Sequence, residues 1–226
     1  MNDTYIFEQF HFHWGHLDGD VGSEHTIDDT SYPAEIHFVH FNSKYGNIGD
    51  SLGYSDGLAV VGFMFEVTNS RRAVTTDYMQ ILNKISKIEN GADIGEQEIN
   101  FATLFDKDPK QGTGQFYRYD GSLTTPPCLE IVTWTLFDVP IKIAKSTLNK
   151  FSKATEVLNG EIVTMEDNFR PVQPLFNRTV RTNFVPSAPS VENRIVKKVR
   201  VKSSAAIATG STLALSVLLF ISSIFM

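Results

Sequence analysis

The sequence predicts a mainly β domain with a few helices, and hydrophobic periodicity is the main reason. Residues 9–15 and 35–41 alternate polar and apolar side chains with the two-residue period of a strand. Residues 58–67 form an apolar run between turn residues, and residues 129–138 read as another strand. Residues 99–105 and 114–119 frame a polar turn around Pro109. Strands therefore dominate the pattern.

A helical period appears in only two places. The first predicted helix covers residues 75–91, with Thr75 or Thr76 as its cap and an end near Gly91. The second covers residues 145–158, with Ser146 as its cap and one apolar face formed by Leu148, Phe151 and Leu158. Residues 46–57 are rich in Gly, Asp and Ser, which predicts a surface loop.

Length and charge limit the classes of function. A chain of 226 residues with 42% hydrophobic content can build one sizeable core. Its formal net charge of -6 argues against a nucleic-acid partner. The single cysteine, Cys128, allows no intrachain disulfide.

The strand at residues 9–15 carries the first candidate metal ligands. The two-residue period puts Gln9, His11 and His13 on one face, while the apolar residues between them face a core. An isolated His-x-His pair is a weak signal, but His37 in the second alternating strand offers a third imidazole. Three histidines leave one open position on a tetrahedral Zn²⁺, which is the catalytic pattern.

A polar residue precedes a histidine by two positions in each of these strands. Gln9 stands before His11, and Glu35 stands before His37. At that spacing, each can accept a hydrogen bond from the outer ring N–H and fix the tautomer of the ligand. His40 lies three residues after His37 on the same strand, so its side chain is on the opposite face and cannot share a metal with His37.

Five motifs carry a resemblance to a known family. They are QFHFHWG at residues 9–15, SEHT at 23–26, EIHFVH at 35–40, YDGSLTTPP at 119–127 and FRPVQPL at 169–175. In this order they resemble the α-class carbonic anhydrases, and the resemblance covers roughly residues 5–184. It implies a large twisted, mostly antiparallel sheet. It also implies reversible hydration of carbon dioxide to bicarbonate and a proton, by attack of a zinc-bound hydroxide.

The resemblance assigns roles to single residues. It implies that His11, His13 and His37 hold the zinc, and that the Thr124 hydroxyl accepts a hydrogen bond from the hydroxide and donates one to Glu24. A surface carboxylate is the alternative for Glu24. The resemblance further implies that the backbone carbonyl of Asn177 steadies one zinc histidine, and that His25 and His40 are structural. It also implies a carbon dioxide pocket formed by Val39, Val60, Leu123, Thr125 and Trp134.

Two features suggest a secreted or membrane-anchored member whose N-terminal segment is missing. In the family a long segment precedes the zinc strand, whereas here that strand begins almost at Met1. Cys128 follows Pro126 and Pro127, where such members carry one half of a disulfide. An orphaned disulfide half is therefore expected, with a buried free thiol as the alternative.

The last part of the chain changes in composition. Residues 1–185 correspond to a partial catalytic domain, and residues 186–204 to a linker with Pro and Ser followed by basic residues. Residues 205–226 carry no charge. This tail is either a transmembrane helix or a glycosylphosphatidylinositol signal. The basic flank argues against a span by the positive-inside tendency, so a lipid anchor at the cell surface is favoured. The sequons at Asn2 and Asn177 are compatible with export.

Two other functions compete with the enzyme. Some relatives keep this fold without zinc histidines and serve as recognition domains, so a catalytically weak or inactive chain could act as a binding module. The complete set of His11, His13, His37, Glu24 and Thr124 favours the enzyme. A shortened chain could also fail to fold stably, because missing strands would leave open edges.

Overall fold

A computed structural model describes residues 3–16, 21–68 and 114–186. The predicted helix over residues 75–91, the segment 99–105 and the tail 205–226 lie outside the described residues. The same holds for the linker after residue 186.

Within the described residues, six strands form one mixed sheet, which confirms the predicted fold class. They are β1 Tyr5–Trp14, β2 Ala34–Asn42, β3 Leu58–Val67, β4 Phe116–Gly121, β5 Val132–Ile143 and β8 Arg181–Thr182. Their order in the sheet is β1-β2-β3-β5-β4-β8, and every neighbouring pair is antiparallel except β3 and β5. The predicted strand at residues 58–67 has the bounds found for β3, whereas β5 begins three residues later than predicted.

The described part of the chain contains only short helices. Helix α1 spans Ile48–Ser51, and helix α2 spans Lys145–Leu148. A single 3₁₀ turn precedes α1 at Ser43–Tyr45, and another follows α2 at Phe151–Lys153. The loop predicted for residues 46–57 therefore contains a helical turn, because the Asn47 side chain accepts a hydrogen bond from the backbone N–H of Asp50 and caps it.

The prediction of one helix over residues 145–158 is wrong. Helix α2 ends at Leu148, and residues 155–164 form a hairpin of β6, Thr155–Leu158, and β7, Glu161–Thr164. Asn159 and Gly160 have φ values of 54° and 85°, the left-handed pair that a two-residue hairpin turn requires. That turn outweighs the apolar spacing, and Leu158 is 42% exposed.

The predicted cap of that helix is also wrong. Ala144 is the N-cap residue, and no side chain caps the helix there. Leu148 and Phe151 are both buried, but a short helix followed by a 3₁₀ turn is enough to direct both into the core.

The sheet has a different core on each face. Buried Phe12, Trp14, Ile36 and Phe38 pack on the face that α2 and the following 3₁₀ turn cover, together with Phe151. The opposite face carries the histidines and a second apolar cluster that includes Val39, Val60 and Trp134. The alternation of β1 and β2 thus supplies a core on one side and a candidate site on the other.

Truncation of Phe151 tests the first core. Its fully buried ring lies with its centroid 5.4 Å from that of Phe12 and 4.9 Å from that of Trp14. We expect Phe151→Ala to lower the free energy of unfolding by about 3–5 kcal/mol in urea titrations. Phe176→Ala is the control, because that ring is 83% exposed, and its expected change is below about 0.5 kcal/mol. Equal losses in the two variants would contradict this packing.

Candidate metal centre

Three imidazoles from two neighbouring strands converge on one point. His11 and His13 lie on β1 and His37 on β2, and the antiparallel register pairs His11 with His37. His37 Nδ1 lies 3.1 Å from His13 Nε2 and 3.3 Å from His11 Nε2. The alternation that predicted a shared face therefore also brings the three rings together.

Each outer ring nitrogen faces an oxygen that can only accept a hydrogen bond. His11 Nδ1 lies 2.9 Å from Gln9 Oε1, His37 Nε2 lies 2.6 Å from Glu35 Oε1, and His13 Nδ1 lies 2.8 Å from the Asn168 carbonyl oxygen. The outer nitrogens must therefore carry the protons, which leaves a lone pair on each of the three inner nitrogens.

Three converging lone pairs fit a bound cation. Nitrogens without protons cannot hydrogen-bond to one another, although the inner nitrogens lie 3.1 and 3.3 Å apart. Tetrahedral Zn–N bonds of about 2.0–2.1 Å would separate ligand nitrogens by about 3.3–3.4 Å. The donor set and its spacing therefore match a zinc ion.

Burial favours the neutral form of two of the three ligands. Loss of hydration lowers the pKa of His11 well below its usual value, and His13 and His37 add to the effect. Burial also lowers the pKa of His37. A neutral imidazole is the form that binds a metal. The His11 and His37 rings are therefore available to a metal near neutral pH.

Glu35 connects His37 to a second histidine. Its fully buried carboxylate accepts hydrogen bonds from the His25 backbone N–H at 2.9 Å, from His25 Nδ1 at 2.7 Å and from His37 Nε2 at 2.6 Å. Burial alone would raise the pKa of Glu35, but His25 and His37 hold it well below its usual range. Burial likewise opposes a charge on His25, but Glu35 outweighs it and raises the pKa of His25.

Glycine at position 62 leaves room for this network. Gly62 lies opposite His37 in the register of β2 and β3. A Cβ there would lie 3.0 Å from Leu136 Cδ1 and 3.2 Å from Glu35 Oε1. A larger side chain would therefore press on the carboxylate that orients His37.

The role predicted for Asn177 falls on a different residue. The carbonyl that faces His13 Nδ1 belongs to Asn168, whereas Asn177 is exposed to solvent. The assignment to Asn177 is wrong, because the sequence motif indicates which segment approaches the histidine but not which carbonyl points at it. Asn168 stands one position before the FRPVQPL motif, and that adjacency is the only signal that could have found it.

Glu24 is placed at the site, but the hydrogen bond expected from Thr124 is not formed. Glu24 Oε1 accepts a hydrogen bond of 2.7 Å from the Arg170 backbone N–H. Its Oε2 is buried, has no hydrogen-bond partner among the described residues and lies 3.5 Å from His13 Nε2. Thr124 is half-buried in the loop that leads from β4 to β5. Glu24 is therefore not the surface carboxylate that the sequence left as an alternative.

His25 and His40 do not contribute ring nitrogens to this group. His25 Nε2 lies 2.7 Å from the Tyr119 hydroxyl, so both of its ring nitrogens have partners. His40 Nδ1 donates to the Phe38 carbonyl at 3.0 Å, and its ring lies edge-on to Phe7. Tyr119 was not predicted at the site, although it opens the YDGSLTTPP motif.

An apolar wall stands beside the histidines. The sheet register places Val39 next to Val60 and Val60 next to Trp134. Leu123 packs against this buried cluster, and the ring centroids of Trp134 and His37 lie 4.7 Å apart. Thr125 lies in the adjacent loop, where its carbonyl accepts a hydrogen bond from the Cys128 N–H, and Cys128 is half-buried.

Comparison with known proteins agrees with this geometry. The family model described as eukaryotic-type carbonic anhydrase matches residues 1–184. The chain belongs to this family. Carbonic anhydrases use zinc and are lyases, and the three histidines of this chain provide a site of that type.

Two mouse carbonic anhydrases show how far the similarity extends. "Carbonic anhydrase 7" of Mus musculus is 37% identical over 186 residues, which are 81% of this chain and 67% of that protein. "Carbonic anhydrase 5B, mitochondrial" of Mus musculus is 36% identical over 186 residues, or 81% of this chain and 56% of that protein. The chain thus spans little more than half the length of the second relative.

Truncation of Glu35 tests the buried network. Glu35→Ala would leave the donors on His25 and His37 without their acceptor, so we expect a loss of about 3–5 kcal/mol in the free energy of unfolding. Urea titration with EDTA present measures the loss without a contribution from metal. The exposed Glu130 provides the control Glu130→Ala, with an expected change below about 0.5 kcal/mol. A loss below about 1 kcal/mol for Glu35→Ala would show that this network does not stabilise the domain.

Proposed function

We propose that this chain binds one Zn²⁺ through His11, His13 and His37, and that the zinc-loaded chain reversibly hydrates carbon dioxide to bicarbonate and a proton. The observation that carries the proposal is the convergence of three imidazole lone pairs at separations of 3.1 and 3.3 Å. Family membership and the carbonic anhydrase names of the relatives support it.

The residues of the chain supply orientation and a neutral donor set. In carbonic anhydrases generally, zinc on three imidazoles lowers the pKa of bound water to about 7. Gln9, Glu35 and the Asn168 carbonyl hold the rings so that each inner nitrogen presents its lone pair.

Glu24 is proposed to accept a hydrogen bond from the Thr124 hydroxyl and thereby to orient it. Glu24 Oε1 accepts a hydrogen bond from the Arg170 N–H, whereas the buried Oε2 lies 3.5 Å from His13 Nε2 and has no hydrogen-bond partner within the described part of the chain. A buried carboxylate oxygen requires a donor. The Thr124 hydroxyl is the donor that the family resemblance assigns, and once it donates to Glu24 its own oxygen can only accept a hydrogen bond from the reacting oxygen.

The apolar wall is proposed to hold carbon dioxide. Val39, Val60 and Trp134 are at most 6% exposed, and Leu123 packs against them. Carbon dioxide is uncharged and makes weak hydrogen bonds, so an apolar surface beside the metal can hold it without competing with water. Thr125 in the adjacent loop completes the proposed pocket.

The alternative function is a catalytically weak or inactive chain that acts as a binding module. The absence of a hydrogen bond to Glu24 Oε2 within the described residues favours it, because a chain without the Thr124 contact would bind zinc and turn over slowly. Zinc content and carbon dioxide hydration therefore have to be measured separately.

Substitution of His37 tests the metal assignment. We expect the purified chain to carry about one zinc per molecule and His37→Ala to lose it, because two imidazoles are too few for a stable site. Elemental analysis after dialysis measures the zinc content. His40→Ala is the control. Because the His40 ring donates to the Phe38 carbonyl and is not part of the histidine group, this substitution should leave the zinc content unchanged.

Stopped-flow hydration assays on the same samples separate the two functions. Hydration by the wild-type chain that disappears in His37→Ala supports the enzyme. Zinc binding without hydration favours the binding module, and full zinc retention in His37→Ala contradicts the ligand assignment.

We further propose that this is a membrane-anchored member of the family, displayed at the cell surface. The support comes from the uncharged residues 205–226 and from the basic residues before them. The described residues contain no helix with the length and apolar character to cross a membrane. Asn177 and Thr179 are exposed, so the sequon is accessible to a glycan.

Release by a phospholipase tests the anchor. If residues 205–226 direct attachment of a glycosylphosphatidylinositol, a phosphatidylinositol-specific phospholipase should release most of the protein from the surface of expressing cells. Immunoblots of the cell and supernatant fractions measure the release. Continued attachment, with the peptide of residues 205–226 still detectable by mass spectrometry, would instead indicate a spanning helix.

A further inference from the structure

A short segment far along the chain is fastened to the end of the strand that holds His11 and His13. We call residues 165–170 the clasp. The Trp14 indole N–H donates to the Met165 carbonyl at 2.8 Å, and the His16 backbone N–H donates to Asp167 Oδ1 at 3.3 Å. The Asn168 backbone N–H donates to the Trp14 carbonyl at 3.3 Å. The clasp therefore follows β1 without forming a regular strand.

The Asn168 side chain makes the shortest of the bonds from the clasp to the β1 backbone. Its Oδ1 accepts a hydrogen bond of 2.7 Å from the Trp14 backbone N–H, and its Nδ2 donates to the Phe12 carbonyl at 3.4 Å. These two partners lie on either side of His13. The side chain thus binds the β1 backbone on both sides of His13, and the ring of His13 in turn donates a hydrogen bond to the Asn168 carbonyl.

The Asn168 carbonyl has no strand or helix to hold it in place. The backbone at Asp167 has a φ of 53°, so the chain turns sharply just before Asn168. A carbonyl in an irregular segment can rotate away unless other contacts fix its peptide. The amide side chain of Asn168 provides that contact, because it has both an acceptor and a donor at the right length.

The clasp also contacts Glu24, the residue proposed to orient the Thr124 hydroxyl. Two residues after Asn168, the Arg170 backbone N–H donates to Glu24 Oε1 at 2.7 Å. Displacement of the clasp would therefore disturb His13 and Glu24 together.

We propose that the Asn168 side chain is a positioning residue for the metal centre. It locks the clasp onto β1, so that the Asn168 carbonyl orients His13 and the Arg170 N–H orients Glu24. The proposal rests on the proposed zinc function. It assigns to the side-chain amide a task separate from that of the Asn168 carbonyl.

The test compares zinc release from two asparagine variants of the full chain. Asn168→Leu keeps the approximate shape of the side chain and removes both hydrogen bonds. Asn183→Leu is the matched control, because it also removes one accepted and one donated hydrogen bond to the backbone, but away from the histidines. Asn183 Oδ1 accepts from the Phe116 N–H of β4 at 2.9 Å, and its Nδ2 donates to the Gly114 carbonyl just before β4. Each variant is loaded with zinc, and release to excess chelator is followed with a colorimetric dye.

We expect zinc to leave Asn168→Leu about 10–100 times faster than the wild-type chain, the range seen when groups that orient metal ligands are removed. Asn183→Leu should release zinc at the wild-type rate. The visible spectrum of the Co²⁺-loaded chain should change in Asn168→Leu alone, because the His13 ring is no longer held in place.

Asn168→Ala provides a second comparison if Asn168→Leu does not fold. It removes both hydrogen bonds of the side chain without placing an apolar side chain of similar size in the clasp, so its zinc release should also be at least about tenfold faster than that of the wild-type chain. Equal release rates for the wild-type chain and the Asn168 variants would overturn the proposal. Equal acceleration in Asn183→Leu would also overturn it, by showing a general loss of stability. A wild-type chain that binds no zinc would instead refute the proposed function.

Discussion

The antiparallel register of β1 and β2 is the constraint on which the rest of the structure depends. It pairs His11 with His37 and puts every ligand on one face, while Phe12, Trp14, Ile36 and Phe38 occupy the other. A slip of one residue would turn the imidazoles toward the core and the aromatic rings toward the site. The metal centre and the hydrophobic core therefore specify the same pairing, and each one stabilises the geometry of the other.

This constraint explains why the sequence was informative at the centre of the site. Along a strand, residues two apart share a face, so Gln9 could be predicted beside His11 and Glu35 beside His37 from spacing alone. The apolar residues Val39, Val60 and Trp134 meet because the register aligns them across three strands. The mostly antiparallel sheet followed from the family resemblance, and the structure agrees.

Prediction failed where distant segments or competing local signals decide the structure. No spacing rule connects His13 with a carbonyl 155 positions away, so the sequence could not separate Asn168 from Asn177. In residues 145–158 the apolar spacing favoured a helix, but the left-handed pair Asn159 and Gly160 redirects the chain into a hairpin. The helix prediction relied on a few apolar positions, whereas the observed turn depends on left-handed backbone conformations that few residue types adopt.

The separation between β1 and the clasp has a consequence for the order of assembly. His13 emerges early in synthesis, but the carbonyl that orients its ring belongs to Asn168 and is made 155 residues later. Contacts between such distant positions close large loops and form late in folding. A ribosome-bound chain that ends before Asn168 can present all three imidazoles, but it cannot hold His13 in its final orientation. The coordination of the proposed zinc by a correctly oriented His13 is therefore completed only after translation has passed the clasp.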